Sequence, residues 1–166
     1  MNVATQTTGS WRRILGTLTL AVLLEQLPWS GWALALRPDF VLVAVLFWAL
    51  HQPARIGFGT AFFLGLLTDF QDGVVFGQHA IAYVIGAYLV LFLRLRLLQF
   101  DPLRQALQLF PILLTLQLVL LLIGWLAVNP PTGLEILLPV LSSTVLWYGV
   151  ALFIRLWHGK GLQDHA

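Results

Sequence analysis

Apolar residues run through this chain in long blocks, and the polar residues that interrupt them gather in short knots of Arg, Pro, Gly, Asp and His. Blocks of that kind predict helices that cross a bilayer, because about 20 mainly apolar residues span roughly 30 Å of hydrocarbon and charged or Pro/Gly knots mark the ends. Six crossings are predicted, at residues 14–35, 39–50, 57–76, 78–93, 103–128 and 134–156, with short tails at 1–13 and 157–166. The fold class is therefore an all-α membrane protein, a polytopic bundle of six transmembrane helices forming one domain over residues 1–166. The second block is short: its twelve residues rise only about 18 Å, so its ends extend or the bilayer thins around it. Folding the second and third blocks into a re-entrant hairpin would leave Arg55 inside the membrane, which is costly.

Helix-end chemistry supports several boundaries independently of hydropathy. Pro38 suits a first helical position, where its missing N–H is no loss, and Asp39 beside it sits at the positive end of the helix dipole. Asp101-Pro102 opens the fifth crossing in the same way. Thr132-Gly133-Leu134-Glu135 reads as a capping box at the start of the sixth. Pro28 is expected to kink the first crossing.

Composition sharpens the class. Hydrophobic residues make up 59% and charged ones 10% of 166, against about 25% charged in an ordinary soluble domain. So few charges cannot furnish a polar shell, and lipid must supply the outer surface. The absence of cysteine excludes disulfides, thiolate metal sites, cysteine nucleophiles and thiol-linked lipid. A net charge of +2 gives no footing for a nucleic-acid partner.

The placement of the charges carries more information than their sum. With six crossings, Arg12, Arg13, Arg55, Arg94, Arg96, Arg104, Arg155 and Lys160 fall on one side and only Arg37 on the other. The positive-inside rule then places both termini in the cytoplasm. Trp11, Trp48 and Trp157 fall near the inner interface and Trp29, Trp32 and Trp125 near the outer one, as an aromatic belt requires; Trp147 alone lies deep in a crossing. Arg94, Arg96 and Arg104 form a cytoplasmic basic surface, read as an orientation signal attracted to anionic lipid. Arg12-Arg13 ahead of an apolar run resembles a secretory signal, but bulky Trp29 and Trp32 occupy the would-be cleavage region.

The third crossing holds the most specific pattern: Gly57, Ala61, Gly65, Asp69, Gly73 and Gly77 recur at every fourth position. Positions four apart share nearly one helical face, so this strip lets another helix approach closely, either within the bundle or from a partner. Asp69 interrupts the strip at membrane depth, where an ionisable residue must face protein or water. It is expected to accept hydrogen bonds from backbone amides around Gly73 and Gly77, fixing a bend. Asp69, Asp72 and His79 are too few and too turn-like to predict a metal or proton-transfer site. Glu25 is the second anomaly, its expected partner being Gln117 or Arg37. No GxSxG, HExxH, Walker A or GxGxxG pattern occurs, so no catalytic residues, cofactor or metal are predicted.

In sequence order, Leu27-Pro28-Trp29, Arg37-Pro38-Asp39-Phe40, Phe47-Trp48-Ala49-Leu50, Pro53-Ala54-Arg55-Ile56-Gly57, Gly65-Leu66-Leu67-Thr68-Asp69, Gly73 and Gly77-Gln78-His79-Ala80 together resemble the rod shape-determining MreD family. Leu146-Trp147 extends the resemblance into the last crossing. Thr68, where an aliphatic residue is more usual, and the Gln71-Asp72 turn depart from the common pattern. The resemblance implies a non-enzymatic scaffold of the bacterial inner membrane that binds MreC. Through MreC it would connect the MreB filament to a RodA-type glycosyltransferase and its penicillin-binding transpeptidase during lateral peptidoglycan synthesis. It also implies a likeness to the six-helix substrate-binding subunits of energy-coupling-factor transporters, which gives the alternative function: a vitamin-like small-molecule binding subunit. On that alternative Glu25, Arg37, Asp69 and His79 would supply the pocket.

Overall fold

The computed structural model describes residues 11–126 and 137–160, with side chains to 156. Among these residues there are eight helices and no strands: α1 (Trp11–Glu25), α2 (Trp32–Ala35), α3 (Phe40–His51), α4 (Phe58–Asp72), α5 (Gln78–Phe92), α6 (Arg94–Leu97), α7 (Pro102–Leu126) and α8 (Leu138–Lys160). Three segments are long and apolar enough to cross a bilayer, namely Trp32–His51, Pro102–Leu126 and Leu138–Leu156, and Gln78–Phe92 is a shorter apolar helix.

α3 is the centre of the bundle because it is apolar on every face. Val41, Leu42, Val43, Val45, Leu46, Phe47, Ala49 and Leu50 are all buried, which one-sided packing would not allow. It packs against α1, α4, α5 and α8. α5 lies beside it and carries α4 on one flank and α7 on another, while α7 and α8 pair along the far side. α3 and α5 begin at the same end of the bundle.

The lengths divide the molecule. α1, α4 and α5 have 15 residues each and α3 has 12, whereas α7 has 25 and α8 has 23.

The stretch expected as one crossing at 14–35 is not one helix. α1 stops at Glu25, and the chain runs through Leu27-Pro28-Trp29 before α2. A residue preceding proline is pushed out of the helical region, so Pro28 ends the helix rather than kinking it. The crossing expected at 57–76 is also shorter, ending at Asp72 because Gly73 adopts a left-handed conformation (φ +63°) and its amide closes back on the Asp69 carbonyl. Pro38 lies just outside α3 instead of at its first position; Asp39 is the N-cap, accepting the Leu42 amide at 2.7 Å. Pro102 does open α7. The capping box at Thr132–Glu135 lies outside the described residues.

The middle of the small-residue strip is an internal seam. Ala61 and Gly65 are buried, and a methyl added at Gly65 would overlap the backbone of Ala80 on α5, 2.6 Å from its nitrogen. Small residues let two backbones meet, and in lipid that close contact replaces apolar burial as the source of helix association.

At the opposite end from the start of α3, polar side chains close helix termini. Arg94 Nε donates to the Leu50 carbonyl at 2.8 Å, satisfying a free carbonyl of α3's last turn. Trp147 Nε1 donates to Gln105 Oε1 at 3.1 Å, and Gln105 Nε2 donates to the Leu97 carbonyl at 3.1 Å. This chain ties α8, α7 and α6 through two buried side chains.

Candidate functional site

Two buried carboxylates organise the end where α3 and α5 begin. Asp69, 1% exposed, accepts the amides of Gly77 at 2.8 Å and His79 at 2.7 Å, with Ala80 at 3.5 Å. His79 Nδ1 lies 2.9 Å from the same carboxylate. Asp69 therefore satisfies the free amides of α5's first turn from a neighbouring helix, at the positive end of that helix's dipole. Gly77, in a left-handed conformation (φ +99°), brings the chain round to it.

Glu25 does the equivalent for α3. Its Oε2 accepts the Val41 amide at 3.2 Å, and Glu25 is 5% exposed. Asp39 Oδ1 takes the Leu42 amide and also the Tyr83 hydroxyl, at 2.7 Å each. Tyr83 Oη lies 3.4 Å from Thr68 Oγ1, which in turn donates to the Leu64 carbonyl at 3.1 Å. The Asp39 amide donates to Ser143 Oγ of α8 at 3.0 Å. One connected network thus links α3, α4, α5 and α8.

Arg37 bridges the α2–α3 loop to the end of α4. One guanidinium nitrogen lies 3.3 Å from both carboxylate oxygens of Asp72, and another donates to the backbone carbonyl of Glu25 at 3.3 Å. The expected partners of Glu25 are thereby corrected: Arg37 reaches its carbonyl rather than its carboxylate, and Gln117 does not bond to it. The Arg37–Asp72 pair is about one-fifth exposed on each side.

A cavity of 520 Å³ opens among these groups, lined by Glu25, Arg37, Asp39, Asp72, Gln78, His79 and Gln117 together with apolar side chains. The structure so brings together Glu25, Arg37, Asp39 and His79. Asp69 stands behind His79, outside the lining. Of the strip residues, Gly73 borders the cavity, Gly77 turns the chain into α5, Gly57 precedes α4, Ala61 is buried, and Gly65 is covered by Ala80 of α5. Among the described residues no cluster of three or more His, Cys, Asp or Glu is placed to hold a metal.

The three arginines make different local contacts. Arg94 binds α3's terminal carbonyl, Arg96 lies over the Phe100 ring at 6.0 Å, and Arg104 stands 3.8 Å from Asp101 at the surface.

Sequence reasoning missed Tyr83 and Ser143 as network members. A signal existed for Tyr83: a phenol hydroxyl inside an apolar run requires a partner, and Tyr83 lies one helical turn from His79. For Ser143 no local signal distinguishes its contact with Asp39 from the back-bonding to helix carbonyls that its neighbours Ser142 and Thr144 make.

Fold and site together define an all-helical membrane protein whose intramembrane polar groups hold helix ends in place around one cavity. Residues 5–157 match the model of the family described as rod shape-determining protein MreD. The chain belongs to that family. It is similar to the rod shape-determining protein MreD of Haemophilus influenzae (strain ATCC 51907 / DSM 11121 / KW20 / Rd), with 29% identity over 149 residues, covering 87% of this chain and 90% of the relative. No solved structure matches it. Membership carries a role in determining rod shape.

Proposed function

We propose that the chain is a non-enzymatic scaffold of the bacterial inner membrane, crossing it six times with both termini in the cytoplasm, and that it binds MreC. Through MreC it would connect the MreB filament to the RodA-type glycosyltransferase and its transpeptidase partner, organising lateral peptidoglycan synthesis. The observation that carries this reading is the family match from residue 5 to residue 157, which takes in α1 to α7 and most of α8. Orientation draws support from charge: Arg55 after α3, Arg94 and Arg96 in α6 and Arg104 in the first turn of α7 lie at one end of the bundle, and Arg37 lies at the other.

The polar groups favour a scaffold over an enzyme. Asp69, Asp39 and Glu25 are each engaged by helix amides, a structural use that ties these carboxylates to helix ends. Since Ala61 is buried and α5 covers Gly65, the MreC helix is proposed to dock elsewhere on α4. The turn around Asp72 and the exposed ridge of Phe63 and Phe70, 72% and 77% exposed, offer the surface. Photocrosslinkers at Phe63 and Phe70, in cells whose own copy has been replaced, test this. Crosslinks to MreC and rounding of cells on depletion are expected; persistent rods with no MreC in the purified membrane complex would overturn the reading.

A second reading is favoured by one observation, the cavity lined by Glu25, Arg37, Asp39 and His79. Such a cavity suits a small-molecule binding subunit of a transporter, and ligand uptake dependent on this chain would identify it.

A further inference from the structure

We propose that the cavity between the starts of α3 and α5 binds an ammonium head group carried on an apolar body. The volume, 520 Å³, falls in the range of small-molecule sites. Three carboxylates, Glu25, Asp39 and Asp72, line it against one guanidinium. That guanidinium pairs directly with Asp72 and donates to the Glu25 carbonyl, and the His79 imidazole on the same wall bonds Asp69, so among the described residues neither Glu25 nor Asp39 has a direct ion pair.

Glu25 supplies the independent sign of a ligand. It is 95% withdrawn from solvent, at 5% exposed, yet only Oε2 is bonded, to the Val41 amide. No donor among the described residues reaches Oε1. Asp39, which is partly buried, likewise has both of its donors on Oδ1. Neither unbonded oxygen is sealed off, since among the described side chains Gln71 Oε1 alone is both buried and without a partner; each can therefore take a donor entering the cavity, and a charged donor binds a carboxylate more strongly than a neutral one. An anionic or neutral ligand leaves the imbalance in place.

The rest of the wall matches the other half of such a molecule. Leu34, Val74, Leu120 and Leu121 line the cavity and suit an alkyl or aryl body. Two sources carry this chemistry: the head group of phosphatidylethanolamine, and a water-soluble organic amine. The inference requires neither transport nor MreC binding, so loss of ligand binding and loss of rod shape are separate results.

The test uses the full chain purified in dodecyl maltoside. Native mass spectrometry compares retention of phosphatidylethanolamine with phosphatidylglycerol, and thermal midpoints are followed in phenylethylammonium or phenylacetate. One saturable site for the ethanolamine lipid alone assigns a lipid ligand; a midpoint rise with phenylethylammonium alone assigns a soluble amine. Glu25→Gln, which keeps an acceptor for Val41 but removes the charge, is expected to weaken binding at least tenfold. Leu120→Trp, which fills the cavity without altering charge, should do the same with helical content unchanged by circular dichroism. Equal retention of both lipids together with equal effects of amine and carboxylate would overturn the proposal, as would undiminished binding in both variants.

Discussion

At the scale of single residues, Gly65 and Asp69 hold the α4–α5 pair, one by what it lacks and the other by what it accepts. Gly65→Ala drives a methyl into the Ala80 backbone, which a flexible side chain cannot relieve, so a loss of about 1–3 kcal/mol is expected from overpacking. Gly149→Ala on α8 meets nothing within 4 Å and is expected to be neutral or stabilising by up to about 1 kcal/mol, because alanine favours a helix. Thermal midpoints of the two variants in detergent check the contrast; equal midpoints would remove the seam. Asp69→Asn turns an amide NH₂ toward backbone N–H groups that need acceptors. Its expected loss is about 1.5–3 kcal/mol, the worth of a hydrogen bond to a charged group, read as faster proteolysis within residues 73–77. That Asp69 would serve backbone amides near Gly77 was legible, because a carboxylate buried beside glycines in a turn has few other uses. That it reaches two residues past Gly77, to His79, was not, because the chain's path after α4 depends on the left-handed turns at Gly73 and Gly77.

At the scale of elements, helix ends are set by partners distant in sequence. α3 is capped at its start by Asp39 and Glu25 and at its finish by Arg94, and only Asp39 is signalled locally, by its place beside Pro38. The apolar blocks at 39–50, 78–93 and 103–128 were readable because helices packed on all sides, or facing lipid, carry long apolar runs that a few interior polar residues, such as Gln108, Thr115 and Gln117 in α7, do not break. The block at 14–35 was misread for the same reason: Leu27, Trp29 and Trp32 are as apolar as a helix interior, and hydropathy does not register a break made by backbone geometry at Pro28. The tie between α7 and α8 gives a measurable coupling. Gln105→Leu leaves the Trp147 indole N–H without its acceptor, and about 1–2 kcal/mol of stability is expected to be lost, as for interhelical hydrogen bonds in lipid. Adding Trp147→Phe to Gln105→Leu should cost less than the sum of the two single changes, and strict additivity in that double-mutant cycle would show that the bond contributes nothing.

At the scale of the whole molecule, charge and shape point the same way. Reporter fusions at the C-terminus and in the 52–56 connection are expected to be active in the cytoplasm, and fusions near Trp29 in the periplasm. Tails reporting on opposite faces would contradict six crossings. The two flanks of the bundle differ in height, since 15 residues rise about 22 Å and 25 residues about 37 Å. On the proposed six crossings, lipid chains beside α1 and α4 would compress while those beside α7 and α8 need not, and the strain of the compressed shell would be relieved whenever another protein displaces it. The molecule is in this sense a wedge with one adhesive side. Reconstituted with acyl chains lengthened from 14 to 22 carbons, it should self-associate or capture a single-span partner progressively more strongly, through its thin edge.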